Sequence, residues 1–189
     1  EFTPLGDFSI AGVWGGEPGN SNTFGVIKAK NFSYRNFQAN HATVKVTVDN
    51  NATSLRSNQI SHTLGTLTGE IYIPLKHKDS PIQLGFDFSG DFPFNAARSI
   101  FGHEVENAVS DINASLIQCN GKGEILHKTL NPTDQNQTHF SINLSSEIPL
   151  TYKHIPIDSF EGSISRKNGL LEARFPSLSI AGGQGVLSF

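Results

Sequence analysis

Residues 44–49 read Val-Lys-Val-Thr-Val-Asp, so an apolar side chain stands at every second position. A period of two is typical of a β-strand that has one face buried and one face in water. The same alternation recurs in residues 25–29, 67–75, 82–88 and 138–144. Sheets with one apolar and one wet face are antiparallel by preference. The sequence therefore predicts a mostly β, antiparallel protein.

One short amphipathic helix is predicted near the middle of the chain. Asp91 has the character of an N-cap, and Pro93 suits the first turn of a helix. Apolar residues then follow at helical spacing, at Phe94, Ala97, Ile100 and Phe101. We expect this helix to end near Gly102 or to continue to about Val109.

The second half of the chain returns to strands. Strand-like runs lie at residues 114–117 and 123–126, and a polar loop is predicted over residues 127–137. From residue 155 onward, strands alternate with turns at Asn168-Gly169 and Gly182-Gly183. Asn-Gly between apolar runs is the strongest local signal for a hairpin.

The strand pattern occurs twice. A shift of 118 residues superposes Tyr34 to Gly65 on Tyr152 to Gly183 without a gap, and the apolar positions then coincide. The sequence predicts one β-rich unit over residues 1–189, with repeat copies at about residues 24–75 and 140–189 and a helix-containing linker between them. The alternative is that any two strand–turn–strand stretches would align this well. Copies of a true repeat would extend one shared core or groove.

Composition excludes several classes of protein. Only 16% of the residues are charged, and the net charge of −3 includes no basic stripe, so we expect no nucleic-acid partner. Cys119 is the only cysteine, which excludes an internal disulfide and suits a buried, reduced thiol. No apolar stretch reaches the roughly 18 residues of a membrane-spanning helix. Because the start lacks both a Met and a signal-like run, we expect a fragment of a longer chain.

The sequence contains no recognisable catalytic or metal-binding motif. The seven histidines are scattered and lack the paired spacing of zinc sites. Gly182 to Gly185 resembles a phosphate loop, but no Lys-Ser/Thr follows, so a turn or bulge is expected there. No Ser lies in a Gly-x-Ser-x-Gly elbow. We predict a protein that is not an enzyme and that holds no cofactor or metal.

What remains to be explained is the large set of Phe, Ile, Leu and Val on one strand face. That face could be sealed against a second sheet as the core of a β-sandwich. It could instead stay open as a curved trough that holds an apolar ligand. Periodicity alone does not decide between these two structures.

Two stretches resemble the repeats of AsmA-like and TamB-like bacterial envelope proteins. The first begins Gly25-Val-Ile-Lys-Ala-Lys-Asn-Phe-Ser-Tyr and continues to a Gly-x-Leu-x-Gly turn at Gly65 to Gly69. The second runs from Ile155-Pro-Ile-Asp through Gly169-Leu-Leu to Leu178-Ser-Ile-Ala-Gly-Gly. The resemblance implies a β-taco or half-pipe with an apolar inner face. It also implies a periplasmic or envelope location, an inner-membrane anchor in parts of the parent protein not present here, and a role in moving phospholipid.

Under this resemblance the chain would be one section of a non-enzymatic lipid-transfer groove, with phospholipid or another acyl lipid as its partner. A dry lining would stabilise acyl chains by about 0.8 kcal/mol per buried CH₂ group. The residues predicted to face lipid are Ile27, Val44, Val46, Val48, Ile71, Ile73, Leu84, Phe86, Phe88, Phe140, Ile142, Leu144 and Ile164.

Two other functions stay open from the sequence. One is a secreted or surface β-sandwich that acts as an adhesin or carbohydrate-binding module. It is suggested by the Asn/Ser/Thr richness and by five Asn-x-Ser/Thr sequons, and its candidate aromatic residues are Trp14, Tyr34, Tyr72 and Tyr152. The other is a purely structural envelope domain, which would show a closed core and no large exposed apolar patch.

Overall fold

The computed structural model describes residues 2–4, 6–17, 20–34, 37–49, 52–74, 82–94, 110–126, 138–167 and 169–188. These residues form fourteen strands, and Phe94, the last residue of its described range, has a helical conformation. The strands are β1 (Phe2–Pro4), β2 (Phe8–Glu17), β3 (Asn20–Tyr34), β4 (Phe37–Val48), β5 (Ala52–His62), β6 (Gly65–Pro74), β7 (Ile82–Pro93), β8 (Ile112–Asn113), β9 (Leu116–Leu126), β10 (Thr138–Ser146), β11 (Leu150–Tyr152), β12 (Ile155–Lys167), β13 (Leu170–Ile180) and β14 (Gly183–Ser188).

All fourteen strands belong to one antiparallel sheet, which confirms the predicted fold class. Successive long strands are neighbours, from β2 through β7, then β9, β10 and β12 to β14, so the chain runs as a meander. Strands β1 and β2 pair with β3 on one side of the sheet, and on the other side β14 pairs with β13 alone among the strands that the structure describes. Bulges interrupt several of these pairings, and bulges bend and twist a sheet. This arrangement is consistent with a curved sheet.

The sheet is a single layer over the part of the chain that the structure describes. All the described strands belong to one hydrogen-bonded sheet, whereas a β-sandwich packs two separate sheets face to face. None of the described side chains is fully buried. The sandwich alternative is therefore not the arrangement of the described strands.

Two clusters of buried residues lie near one end of the strands. Phe37, Ala39, Leu67 and Cys119 form one buried cluster, and Ala114, Ile117 and Leu150 form a second. Leu144 packs against both clusters and so joins them. Half of the ten buried apolar residues are alanines, because a single layer has little depth in which to bury a larger side chain.

The predicted start of the helix is wrong. Asp91 and Pro93 belong to β7, where Phe92 continues the period-two alternation and packs against the Phe37 cluster. The Asp91 carboxylate accepts a hydrogen bond from the backbone N–H of Thr66, at 3.4 Å, instead of capping a helix. Pro93 is tolerated because it is the last residue of the strand. Residues 95–109 of the predicted helix lie outside the described residues, as does the predicted loop at 127–137.

The runs predicted at 114–117 and 123–126 are joined in one strand, β9. Glycine weakens the interior of a strand, and Gly121 and Gly123 lie where the two predicted runs join. Aromatic rings from β7 cover both glycines: an added Cβ on Gly121 would lie 2.9 Å from Phe88 Cζ, and one on Gly123 would lie 2.6 Å from Phe86 Cζ. These rings supply the packing that the glycines lack.

The pairing registers of two regions coincide at the offset of 118 residues. In β4 and β5, Ala42 pairs with Ile60, and in β12 and β13 the equivalent Phe160 pairs with Leu178. The turn pairs His62–Gly65 and Ile180–Gly183 are equivalent as well. The register shifts also fall at equivalent places, after Ala39 and after Ile157, for example. The three strands β4–β6 and the three strands β12–β14 therefore share one pairing pattern.

The described residues contain no helix of sufficient length and apolar character to cross a membrane.

Candidate functional site

The pairing register brings all thirteen predicted lipid-facing residues to one face of the sheet. Residues directly opposite each other in an antiparallel pair share a face, so the faces can be followed from strand to strand. One row across the sheet contains Ile27, Val44, Phe88, Ile142 and Ile164, with Ser57, Gly69 and Gly121 between them. We call this side of the sheet the apolar face.

The other predicted residues lie in rows beside the first. Val46, Ile71, Phe86 and Phe140 share one row, and Leu144 lies in the row on the opposite side, next to the buried clusters. Val48 and Ile73 lie two residues after Val46 and Ile71, and Leu84 lies two residues before Phe86, so all three keep the same face.

The thirteen residues partly shield one another from solvent, but none of them is fully buried. Twelve are half-buried, and Ile71 is 40% exposed. The Phe86 and Phe88 rings stack with centroids 6.2 Å apart. In the second repeat region, Phe160 and Phe175 meet edge to face at 5.9 Å. The apolar face is thus laterally packed, and no described strand covers it.

Several residues of the apolar face were not among the sequence predictions. Ile10, Leu55, Ile60 and Leu67 occupy the same rows as the predicted residues. Leu67 could have been found, because it continues the alternation through Ile71 and Ile73. Ile60 could not, since the register shift between Ser57 and Ile60 breaks the period of two within β5.

The opposite face is polar and mixed in charge. Arg56 and Glu70 form an ion pair at 3.4 Å across β5 and β6. Two hollows, of about 460 and 760 Å³, lie on this side, and their polar and charged lining includes Glu70, Asp87, Lys122 and Glu161. Charges of both signs alternate there without converging on one point. Among the described residues, no group of three potential metal ligands occurs.

His62 forms two hydrogen bonds at the buried end of the apolar face. His62 is 6% exposed, and its Nδ1 accepts a hydrogen bond from the backbone N–H of Leu64 at 3.2 Å. Nε2 therefore carries the proton and donates to the carbonyl oxygen of Asp91 at 2.8 Å. These bonds tie the turn between β5 and β6 to the end of β7.

Cys119 carries the only thiol of the chain and lies on the apolar face near His62. Cys119 is free and buried, as predicted, and it packs with Leu67 and Phe37. Burial, and secondly the nearby charge of Asp91, raise the pKa of the Cys119 thiol from 9.0 to about 11. The thiol therefore stays protonated at neutral pH, which suits packing and not nucleophilic chemistry.

The four aromatic candidates for a carbohydrate platform do not form one described surface. Tyr72 lines the larger hollow on the polar face, in contact with Gly85. Tyr152 is 41% exposed at the turn between β11 and β12, with the Lys153 ammonium 5.5 Å from its ring centroid. The side chains of Trp14 and Tyr34 lie outside the described part of the structure.

No family model, no curated protein and no solved structure matches this chain.

Proposed function

We propose that the apolar face binds acyl chains and that the chain is a non-enzymatic section of a lipid-transfer groove, with phospholipid as its partner. The observation that carries the proposal is one continuous apolar face, from Ile27 on β3 to Ile164 on β12, that no described strand covers. A periplasmic or envelope location and a parent protein of the AsmA-like type belong to the same proposal.

The physical argument begins with the cost of leaving this face in water. Monomeric soluble proteins rarely expose contiguous apolar patches larger than a few hundred Å², and a larger patch marks an interaction site. Here the apolar side chains of eight successive strands, β3–β7, β9, β10 and β12, lie side by side. An acyl chain laid across them would remove apolar surface from water on both partners, at about 25 cal/mol per Å².

The shape and charge of the face favour lipid over a polar ligand. Its rows consist mainly of Val, Ile, Leu, Phe and Gly, with Ser57 in the central row and Arg166 opposite Phe140 in the row beside it. No lysine or arginine lies between Ile27 and Ile142 along the central row. A flexible acyl chain does not require directional partners, so laterally packed apolar side chains are sufficient to bind it. Headgroups would remain in water at the ends of the strands.

The test is lipid loading of detergent-free protein, measured by native mass spectrometry and with a fluorescent phospholipid. We expect bound lipid on the wild type. Phe86→Asp and Ile142→Asp should each reduce loading at least about tenfold, since an unpaired carboxylate would meet the acyl chain. Both should keep the far-ultraviolet circular dichroism of the wild type, because these residues are only half-buried.

The matched control is Ser141→Asp, because Ser141 precedes Ile142 on the same strand, faces the polar side and is exposed. It lies opposite Lys122, which favours a carboxylate, so loading should not change. Absence of lipid from folded wild-type protein would contradict the proposal. So would unfolding of Phe86→Asp and Ile142→Asp, because that result would mean that the face is sealed.

A further inference from the structure

The larger hollow on the polar face is built around a glycine that separates two large polar side chains. In the row that crosses β6, β7, β9 and β10, Gly85 stands between Tyr72 and Glu124, and Glu124 stands opposite His139. Neighbouring strands lie about 4.8 Å apart, so the backbones of Tyr72 and Glu124 are about 10 Å apart with no side chain between them. The hollow at this gap has a volume of about 760 Å³, and ligand sites usually measure about 300–1,000 Å³.

Tyr72 provides an aromatic surface at one side of the gap. An added Cβ on Gly85 would overlap Tyr72 Cε1 and lie 2.5 Å from Cδ1, so the ring lies over the glycine. Gly85 is buried, whereas Tyr72 is half-buried and lines the hollow. Part of the ring therefore covers the glycine, and part stays accessible from the hollow. A ring in this position is an apolar platform within a polar surface.

Charged side chains of both signs stand beside this platform. Glu70 and Asp87 occupy the neighbouring row, next to Tyr72 and Gly85, and Lys122 lies opposite Asp87 on its other side. Glu70 and Asp87 face each other directly, and like charges placed directly opposite lower the stability of a sheet. Proteins break such local rules of stability chiefly at functional sites. The pair of carboxylates therefore points to a role in binding.

His139 adds a polar atom that lacks a partner. It lines the hollow, and its Nε2 is buried without a hydrogen bond to any residue that the structure describes. Buried polar atoms are almost always hydrogen-bonded, so an exception requires an explanation. A hydroxyl group both donates and accepts, so a ligand hydroxyl would complete the imidazole in either tautomer.

We propose that the larger hollow binds a neutral carbohydrate, with one sugar ring packed on Tyr72. A pyranose ring has an apolar C–H face and a rim of hydroxyl groups, which matches an aromatic platform surrounded by donors and acceptors. Asp87 and Glu124 accept hydrogen bonds from hydroxyl groups, Lys122 donates to them, and His139 does one or the other. The site lies on the opposite side of the sheet from the apolar face and does not require that the apolar face binds lipid.

The charge of the lining favours a neutral ligand over an ion. Its described residues include three carboxylates, of Glu70, Asp87 and Glu124, and two ammonium groups, of Lys122 and Lys167. An anion would meet the carboxylates and a cation would meet the lysines, and like charges brought together across an interface are costly. Charges of both signs spread around a hollow suit a ligand with many hydroxyl groups, each of which donates to one side chain and accepts from another.

The experiment measures binding of oligosaccharides to this chain, first on a glycan array and then by titration calorimetry. The probes are oligomers of glucose, galactose, mannose and N-acetylglucosamine, with sialylated and sulfated glycans as the acidic comparison. We expect the wild type to bind at least one neutral oligomer. Tyr72→Leu should weaken that binding at least about tenfold, whereas Tyr72→Phe should retain it because the ring remains. The matched control is Tyr152→Leu, at a tyrosine that is 41% exposed outside the hollow, and it should bind like the wild type.

A second variant, Asp87→Asn, separates binding from folding. It should weaken carbohydrate binding at least about tenfold, since a hydrogen bond to a charged acceptor is lost. Its urea midpoint should stay close to that of the wild type, because the lost attraction to Lys122 and the relieved repulsion from Glu70 offset each other. Ile142→Asp, on the apolar face, should leave carbohydrate binding unchanged, so a failure of the lipid proposal does not affect this result.

Three outcomes would overturn the proposal. The first is folded wild-type protein that binds no neutral oligosaccharide, or that binds acidic glycans more tightly. The second is Asp87→Asn protein that binds like the wild type. The third is a loss of binding in Tyr152→Leu as large as the loss in Tyr72→Leu.

Discussion

The two regions β4–β6 and β12–β14 have the same pairing register but distribute side-chain volume in opposite ways. In the first region, three equivalent positions of the apolar face hold Val44, Ser57 and Gly69. In the second region these positions hold Gly162, Phe175 and Leu187. The Phe175 ring lies over Gly162, where a valine like Val44 would have no room. The backbone pattern is thus kept while large and small residues exchange places.

The two regions also differ in their neighbours. Strand β6 is followed by β7 and is an interior strand, whereas β14 pairs with β13 alone among the described strands. The contrast extends to the strands that lie two places before each region in the sheet, β2 before β4 and β9 before β12. Cys119 on β9 and Ile10 on β2 hold matching places beside Leu144 and Ile27, yet Cys119 is 8% exposed and Ile10 is 68% exposed. Burial therefore depends on position in the sheet more than on the repeat.

The largest effect is expected from giving the second region a residue of the first. In Gly162→Val, the new Cβ would overlap the Phe175 ring and lie 2.7 Å from the carbonyl oxygen of Arg174. Overpacking of this kind lowers the free energy of unfolding by about 1–3 kcal/mol. Urea denaturation measures the loss, and the slope of the unfolding free energy against urea concentration should stay unchanged.

A second substitution, at Phe175, separates the two causes of the loss in Gly162→Val, which are the overlap with the Phe175 ring and the close approach to the Arg174 carbonyl oxygen. Phe175→Ser, which supplies the equivalent of Ser57, removes the ring but leaves the Arg174 carbonyl in place. The double variant should therefore recover part of the loss, with a coupling energy of about 0.5–3 kcal/mol. Additive effects of Gly162→Val and Phe175→Ser would show that the exchange of volumes does not link these positions.

The sequence predicted the apolar face well because alternation is a local property. The thirteen residues from Ile27 to Ile164 lie on one face since a period of two needs only consecutive residues to be correct. A bulge depends on the pairing with a neighbouring strand and cannot be found from consecutive residues. The register shift between Ser57 and Ile60 is of this kind, so the alternation did not place Ile60 on the apolar face. Asp91 and Pro93 have good helix-start chemistry, but Phe92 gains more by packing on the Phe37 cluster. Tertiary packing there overrides local preference.

A smaller, kinetic contrast is expected between an interior thiol and an edge thiol. With its pKa raised to about 11, Cys119 should form about a hundredfold less thiolate at pH 8 than an ordinary thiol. In the variant Ile10→Cys, the new edge thiol should react rapidly with iodoacetamide while Cys119 does not. Mass spectrometry of peptides gives both rates in one molecule.

The raised pKa of Cys119 determines whether stability rises or falls with pH. The folded state holds the Cys119 proton up to about pH 11, whereas the unfolded chain releases it near 9.0. Stability contributed by the protonated thiol is therefore present below pH 9 and is lost as the pH rises toward 11. Cys119→Ala should remove this part of the alkaline loss. Equal reactivity of Cys119 and Ile10→Cys in folded protein would contradict the assignment of β9 as interior and β2 as edge.

The smallest effect concerns the arginines at equivalent positions, Arg56 and Arg174. Arg56 pairs with Glu70 across β5 and β6, whereas Arg174 lies opposite Ser188 and pairs with Glu172 in its own strand. Glu70→Gln should change the free energy of unfolding by less than about 0.5 kcal/mol, because the pair is exposed and salt-screened. Glu70 also faces Asp87 directly, so the substitution relieves a like-charge contact that offsets the lost ion pair.

The second region supports the expectation of a small effect. Strands β13 and β14 keep the register of β5 and β6, although Ser188 stands opposite Arg174 where Glu70 stands opposite Arg56. The cross-strand pair is therefore not what fixes the register, and Glu70→Gln and Glu172→Gln should have similarly small effects that converge in high salt. Urea midpoints of both variants at low and high salt measure this. A loss above about 1 kcal/mol for Glu70→Gln alone would show that the first region depends on an ion pair that the second does without.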